Sequence, residues 1–119
     1  MKHSISGVHS RDLKKNVIEL DSKSVDLMGT GELNQLYLLG ILETDSTIRD
    51  LTLVINLAYQ IERLYYRVPI ENPVDAYLEI IDLSNKGKKD IGVWALGKEP
   101  IYYVYFNQGD GFRLGRNND

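Results

Sequence analysis

The stretch DSTIRDLTLVINLAYQIERLYYRVP, residues 45–69, contains the clearest periodic signal in the chain and decides the expected fold. Its polar residues recur in steps of three and four, which is typical of one stripe along an α-helix. The stripe consists of Arg49, Thr52, Asn56, Gln60, Arg63 and Arg67. Thr47 followed by Asp50 resembles a helix-capping pair, and Pro69 disfavours helical geometry at the residue before it. We therefore expect a largely buried helix over residues 47–67.

A second helix is predicted over residues 73–86. Asn72 is a favourable N-cap, Pro73 suits the first helical position, and Gly87 is well placed as the C-terminal cap. The apolar residues at helical spacing are Val74, Tyr77, Leu78 and Ile81. The opposite face carries acidic residues, so we expect a surface helix with an acidic outer side.

Upstream of the opening stretch, the sequence predicts a third helix over residues 32–43. Leu33, Leu36, Tyr37 and Ile41 lie near helical spacing, although Gly40 costs about 1 kcal/mol relative to alanine. Before it, the segment NVIEL at residues 16–20 fits a short strand, and the SRDLKK that precedes it fits the start of a helix equally well. The structure of this amino-terminal part is left open.

After Gly87 the pattern changes to short segments rich in β-branched and aromatic residues. Such segments, separated by GKEP and NQGDG, are typical of an antiparallel meander. Three strands are predicted, at residues 91–96, 101–107 and 112–115. Helices followed by strands indicate an α+β fold, with the meander packed on the helices. We expect one domain over residues 11–119, preceded by a mobile segment at residues 1–10 that lacks periodicity.

Composition indicates a small globular protein of the cytoplasm. The 119 residues include no cysteine, which excludes disulfides, thiolate metal sites and cysteine nucleophiles. No apolar run is long enough to span a bilayer, and the start of the chain has no secretory h-region, so neither a membrane nor a secretory role is expected. The net charge is −3, concentrated in residues 32–85, where three Lys/Arg face nine Asp/Glu.

The motifs that would indicate catalysis or a cofactor are weak. Residues 92–99, GVWALGKE, match the spacing of a phosphate-binding loop, but Glu99 stands where a hydroxyl should bind magnesium and Pro100 where a helix should run. His3 and His9 are the only histidines, and both lie in the segment expected to be mobile. We therefore predict no enzyme activity, no metal site and no cofactor.

Two groups of residues are candidates for binding another macromolecule. The first is the acidic side of the predicted helix 73–86, formed by Asp75, Glu79 and Asp82. An exposed acidic helix face is most often only a solvated surface. As a binding face it would suit a basic partner, and the excess of negative charge in the middle of the chain favours such a partner.

The second group lies in IYYVYF and the residues after it, namely Tyr102, Tyr103, Tyr105, Arg113 and Arg116. Both alternating sets of this strand are apolar. The strand is therefore covered on both faces, forms a self-association surface, or presents an exposed aromatic platform. Such a platform suits a protein interface, because tyrosine is enriched there. Tyrosines with arginines also suit single-stranded nucleic acid, although this end of the chain contains few cationic residues to bind phosphates.

The function expected from sequence is a small acidic protein-interaction module, a regulator or inhibitor that acts by binding a macromolecular partner, as immunity proteins do. The alternative is a single-stranded nucleic-acid-binding protein that uses the tyrosine-rich strand and the carboxy-terminal arginines. Self-association through the carboxy-terminal strands is compatible with either expectation.

Overall fold

The computed structural model describes residues 16–58, 61–83 and 87–115, and β-strands form its framework in all three ranges. No helix occurs within these ranges. The eight strands are β1 (Val17–Val25), β2 (Asn34–Leu42), β3 (Ile48–Asn56), β4 (Leu64–Arg67), β5 (Asp75–Ile81), β6 (Asp90–Leu96), β7 (Pro100–Asn107) and β8 (Phe112–Gly115). The predicted α+β fold class is therefore wrong, because the described part of the chain is all-β.

The strands form two four-stranded antiparallel sheets, a first sheet ordered β1-β2-β3-β4 and a second ordered β5-β6-β7-β8. In both sheets each strand pairs with the one that follows it in sequence. The inner faces of the two sheets supply a single hydrophobic core, as expected when two half-apolar layers bury each other. Its members include Leu36, Leu38, Leu51, Leu53 and Ile55 from the first sheet and Leu78, Ile91, Val93, Tyr105 and Phe112 from the second.

The sheets are also joined along their outer strands. On one side β1 lies beside β5, and Asp21 Oδ2 accepts a hydrogen bond of 2.8 Å from the Leu78 backbone N–H. On the other side the Tyr66 hydroxyl of β4 accepts a hydrogen bond of 2.8 Å from the Phe112 N–H of β8. Side chains therefore occupy hydrogen-bonding positions that an edge strand would otherwise offer to another chain.

The helix predicted over 47–67 is a hairpin of β3 and β4. Asp50 accounts for the helix-like spacing. It has a positive φ of 57° at the point where the pairing of β2 with β3 shifts register. This irregularity changes which face later residues occupy, so polar residues fall three or four apart without a helix. Thr47 does not act as the predicted helix cap. Its hydroxyl donates a hydrogen bond to the nearby Asp45 carboxylate. A spacing of four is also compatible with a strand, where it returns to the same face.

Where a helix was predicted over 73–86 the structure has β5, in which exposed and buried residues alternate from Asp75 to Glu79, and residues 84–86 lie outside the described ranges. Ala76 and Leu78 are buried, whereas Asp75, Tyr77 and Glu79 are exposed. Asn72 does not act as an N-cap, since its φ of 50° lies in the left-handed region whereas an N-cap residue adopts an extended conformation. The asparagine and proline therefore form a turn that leads into a strand.

The helix predicted over 32–43 is replaced by β2, in which buried and half-buried residues alternate. Leu36 and Leu38 face the core, while Tyr37 and Leu39 lie on the outer face. Because both faces carry apolar residues, the period of two was hidden. Gly40 faces inward with the Ile48 side chain directly against it, so a side chain at this position would overlap Ile48.

The three carboxy-terminal strands lie at the predicted positions to within one residue, as β6, β7 and β8, and they pair as an antiparallel meander. The meander packs on another sheet and not on helices. The mobile segment predicted at residues 1–10 falls outside the described residues. Within the described ranges, nothing helical is available that could cross a membrane.

Candidate functional site

The outer face of the second sheet carries three aromatic side chains from three neighbouring strands. Tyr77 of β5 is paired with Trp94 of β6, which is paired with Tyr102 of β7. The ring centroids are 6.4 Å apart for Tyr77 and Trp94 and 4.4 Å apart for Trp94 and Tyr102, with interplanar angles of 25° and 35°. Such offset, tilted ring pairs are favourable cross-strand contacts. We call these three residues the aromatic row.

Glu79 lies on the same face of β5, two residues after Tyr77, and holds the row in place. Trp94 Nε1 donates a hydrogen bond of 3.2 Å to Glu79 Oε1. The pKa of Tyr102 is raised to about 12, first by burial of the phenol and then by a hydrogen bond with Glu79 and the negative charge of that carboxylate. One carboxylate therefore orients two of the three rings.

Two glycines allow aromatic rings to lie against the sheet. The Tyr102 phenol rests on Gly92 of β6, so closely that a Cβ atom at Gly92 would overlap the ring. Phe106 rests on Gly115 of β8 in the same way. The Arg113 guanidinium lies over the Phe106 ring, 5.2 Å from its centroid, in a cation–π contact. Two aromatic rings of the outer face therefore lie directly against the backbone of a neighbouring strand.

Charge is divided between the two margins of this face. The β5 margin presents Asp75, Tyr77 and Glu79 in alternation, all three exposed, with Tyr77 44% exposed. We call these three residues the β5 strip. Arg113 lies at the opposite margin, on β8. Within the described residues, the face thus has an acidic margin, an aromatic centre and one arginine, Arg113, at the opposite margin.

Four of the predicted binding residues come together on this face, namely Asp75, Glu79, Tyr102 and Arg113. They do so through strand alternation and pairing, and not on the helix that sequence periodicity indicated for the first two. Asp82 does not join them, because it follows the end of β5 and its carboxylate lies 3.3 Å from Lys89 Nζ. Arg116 lies outside the described residues.

The other two predicted tyrosines point to the opposite side of β7. Tyr105 is buried in the core, and its hydroxyl donates to the Arg67 carbonyl at 3.0 Å. Tyr103 is half-buried against the core, and its hydroxyl donates to the Pro69 carbonyl at 3.1 Å. Burial raises the pKa of both phenols. These side chains connect the two sheets and do not line the outer face.

Sequence reasoning missed Tyr77 and Trp94, which are central to the aromatic row. Tyr77 was assigned to the buried side of a helix. Trp94 was placed in a strand of the predicted meander, and its partner across the GKEP turn could have been counted residue by residue. That register places Trp94 opposite Tyr102. The signal for two of the three residues of the row was therefore present in the sequence.

Other parts of the described surface offer less. A shallow cleft lies between residues 69–72 and 97–99, beside Ile101 and Tyr103, and its charged lining residues are exposed. Among the residues that the structure describes, no three His, Cys, Asp or Glu side chains converge as metal ligands. Within the same residues, every buried side-chain nitrogen and oxygen has a hydrogen-bond partner.

Asp90 illustrates how these buried groups are used. Its side chain is fully buried, and its carboxylate accepts hydrogen bonds from the backbone N–H groups of Leu83 at 3.0 Å and Asn107 at 2.8 Å. This carboxylate supports the turn after β5 and the end of β7. Its role is structural, so the outer face of the second sheet remains the strongest candidate site.

Comparison of the chain with protein-family models, curated proteins and solved structures finds no match in any of the three.

Proposed function

We propose that this protein is a protein-interaction module, a regulator or inhibitor that acts by docking a partner on the outer face of the second sheet. The observation that carries the proposal is the aromatic row, whose rings are held by Glu79 and by each other before any partner binds. Tryptophan and tyrosine supply most of the binding energy in many protein interfaces. Rings that are already ordered lose little conformational entropy on binding.

Charge favours a protein over a nucleic acid as the partner. Asp75 and Glu79 lie at one margin of the face, where they would repel phosphates. At the other margin, the described residues supply one cationic side chain, that of Arg113. Nucleic-acid surfaces need several cations to neutralise the backbone. Single-stranded nucleic acid, the alternative expected from sequence, is therefore the less favoured occupant.

The same proposal extends to the setting in which the protein works. We place it in the cytoplasm, because a chain without cysteine has no disulfide framework, which is common in small domains of oxidising compartments. We also treat residues 11–119 as one domain, since the two described sheets contribute to a single core. Both statements are expectations that fractionation and limited proteolysis can test.

A matched pair of variants tests the docking face. Tyr77→Ser removes an exposed ring of the row, and Tyr65→Ser removes an exposed ring from β4 on the other sheet. Each purified variant is used as bait in the source lysate, with and without nuclease. We expect a protein partner that survives nuclease and is captured at least about tenfold less by Tyr77→Ser, as for an interface hot spot. Capture by Tyr65→Ser should match the wild type.

Two results would contradict the proposal. Equal loss of the partner in both variants would show that the second sheet has no special role. Capture that disappears with nuclease in all three proteins would instead support nucleic acid as the occupant of the face.

A further inference from the structure

The side chains of the β5 strip, together with their spacing, indicate which chemical groups the docked partner presents. Resting on the proposed function, we infer that the partner presents an extended segment with a basic, an apolar and a second basic side chain at alternate positions. Asp75, Tyr77 and Glu79 point from the same face of β5. Successive same-face residues of a strand are about 6.6 Å apart. An extended partner segment has the same repeat, so its alternate side chains match the strip one to one.

The segment lies on the face of the sheet and does not extend its edge. β5 is the outer strand of the second sheet, but β1 lies beside it. Asp21 Oδ2 already accepts a hydrogen bond from the Leu78 N–H on that side, at 2.8 Å. Addition of a strand by backbone pairing would have to displace this contact. Recognition must therefore come from side chains on the outer face.

The chemistry of the strip favours arginine at the two basic positions. A carboxylate has about four acceptor sites, and the contacts from Trp94 and Tyr102 leave some of those on Glu79 open to solvent. A guanidinium can stack on an exposed aromatic ring and bind a neighbouring carboxylate with two parallel N–H groups. Lysine makes only the point-charge contact, so it should bind less well.

The size of the face favours a segment over a second copy of the chain. The four strands are seven, seven, eight and four residues long. At about 4.8 Å between strands and roughly 3.3 Å per residue, they cover roughly 400 Å². A stable interface needs about 800 Å² from each partner. The footprint of the face is small for a stable dimer interface, but it accommodates a short extended peptide.

Three synthetic peptides test the inference, with the single tryptophan, Trp94, as the fluorescent reporter. The probes are acetyl-TRTVTRT-amide, acetyl-TKTVTKT-amide and acetyl-TETVTET-amide. We expect the arginine peptide to change Trp94 emission saturably, the lysine peptide to bind about threefold more weakly, and the glutamate peptide not to bind. Binding should weaken as salt is raised from about 20 mM to about 300 mM.

Neutral variants test whether the two carboxylates are responsible. Asp75→Asn and Glu79→Gln should each weaken arginine-peptide binding about threefold, the effect of removing one exposed ion pair. Glu32→Gln makes the same change of charge at an exposed residue of the β1–β2 loop and should leave binding unchanged. Equal binding of the arginine and glutamate peptides, or unchanged binding by both strip variants, would overturn the inference.

The outcomes separate this inference from the proposed function. If the peptide results are negative while Tyr77→Ser still loses the captured protein, the docking face stands and its partner is not a basic segment. If both experiments are negative, both proposals fall. Binding of oligothymidylate in place of the arginine peptide, or a concentration-dependent dimer abolished by Tyr77→Ser, would also overturn the basic segment as occupant.

Discussion

At the scale of single residues, Tyr102 shows how one side chain links the backbone, the aromatic row and a charge. Its ring rests on Gly92, packs against Trp94 and places its hydroxyl beside Glu79. Burial and the Glu79 carboxylate both favour the neutral phenol. Both effects exist only in the folded protein, because an unfolded tyrosine has the ordinary pKa. The neutral phenol therefore stabilises the folded state relative to the unfolded chain.

This environment predicts a pH dependence at Tyr102. Its folded pKa of about 12 lies above the ordinary value of 10.0. The stabilisation is therefore fully present below about pH 10 and is lost as the pH rises from about 10 towards 12. Glu79→Gln should lower the pKa of Tyr102, while burial keeps it above the ordinary value. Absorbance titration of tyrosinate, with the Tyr102→Phe difference used to assign the transition, measures both values.

An unchanged Tyr102 transition in Glu79→Gln would contradict the assigned role of the carboxylate. A transition at the ordinary value in the wild-type protein would contradict the packing of the phenol as well. Glu32→Gln serves as the control, since it removes a similar charge away from the row.

At the scale of elements, β6 is a strand of the second sheet that is covered by side chains on both of its faces. Ile91, Val93 and Ala95 face the core, while Gly92 lies under the Tyr102 ring on the outer face. A strand covered on both sides needs a small residue wherever a neighbouring side chain lies across the backbone. Glycine at this position leaves room for the Tyr102 ring on the outer face.

The close approach at Gly92 predicts the effect of adding one methyl group. Gly92→Ala should destabilise the protein by about 1–3 kcal/mol, because the methyl group forces the Tyr102 ring out of its place. Gly97→Ala is the matched control, as its nearest neighbour would be the Pro73 Cα atom at 3.9 Å. It should change the free energy of unfolding by less than about 0.5 kcal/mol. Urea denaturation measures both, and Trp94 fluorescence should change only in Gly92→Ala.

Two results would argue against this account of β6. One is a Gly92→Ala protein as stable as Gly97→Ala. The other is a double variant, Gly92→Ala with Tyr102→Ala, that loses as much stability as the two single changes added together. Since Tyr102→Ala removes the overlapping ring, the two changes should be strongly non-additive.

At the scale of the whole molecule, the contact between β4 and β8 joins the two sheets. The Tyr66 hydroxyl accepts the Phe112 N–H, and its ring lies between those of Tyr105 and Phe112, at centroid distances of 5.8 Å and 6.2 Å. The neighbouring Tyr65 points outward and is 63% exposed. Adjacent tyrosines therefore have opposite roles, as strand alternation requires.

The two tyrosines make a controlled test of the joined sheets. Tyr66→Phe keeps the ring but leaves the Phe112 N–H without its acceptor, so it should cost about 1–2 kcal/mol. Tyr65→Phe removes the same atom from an exposed side chain and should cost less than about 0.5 kcal/mol. The midpoint of urea unfolding should fall for Tyr66→Phe with an unchanged slope. Equal midpoints for the two variants would rule out this contact as a significant link between the sheets.

The three carboxy-terminal strands can be identified from the sequence alone, because each is short, rich in β-branched and aromatic residues and bounded by turn residues. The sequence also named Asp75, Glu79, Tyr102 and Arg113 as candidate binding residues, but it placed the first two on a helix and did not separate Tyr102 from Tyr103 and Tyr105, which face the core. The strands are local features, so a local pattern is enough to identify them, whereas the shared face depends on strand pairing.

Tertiary packing, and not the local pattern, makes strands of the four segments Asn34–Leu42, Ile48–Asn56, Leu64–Arg67 and Asp75–Ile81. The outer face of β2 is apolar as well as its inner face, Asp50 interrupts the alternation of β3, and Asn72 forms a turn where a cap was expected. Each of these features hides a period of two within a short window. Burial against the other sheet then outweighs the weak local preference for a helix. The aromatic row was decided at the same level, because Tyr77, Trp94 and Tyr102 meet only once β5, β6 and β7 are paired in register.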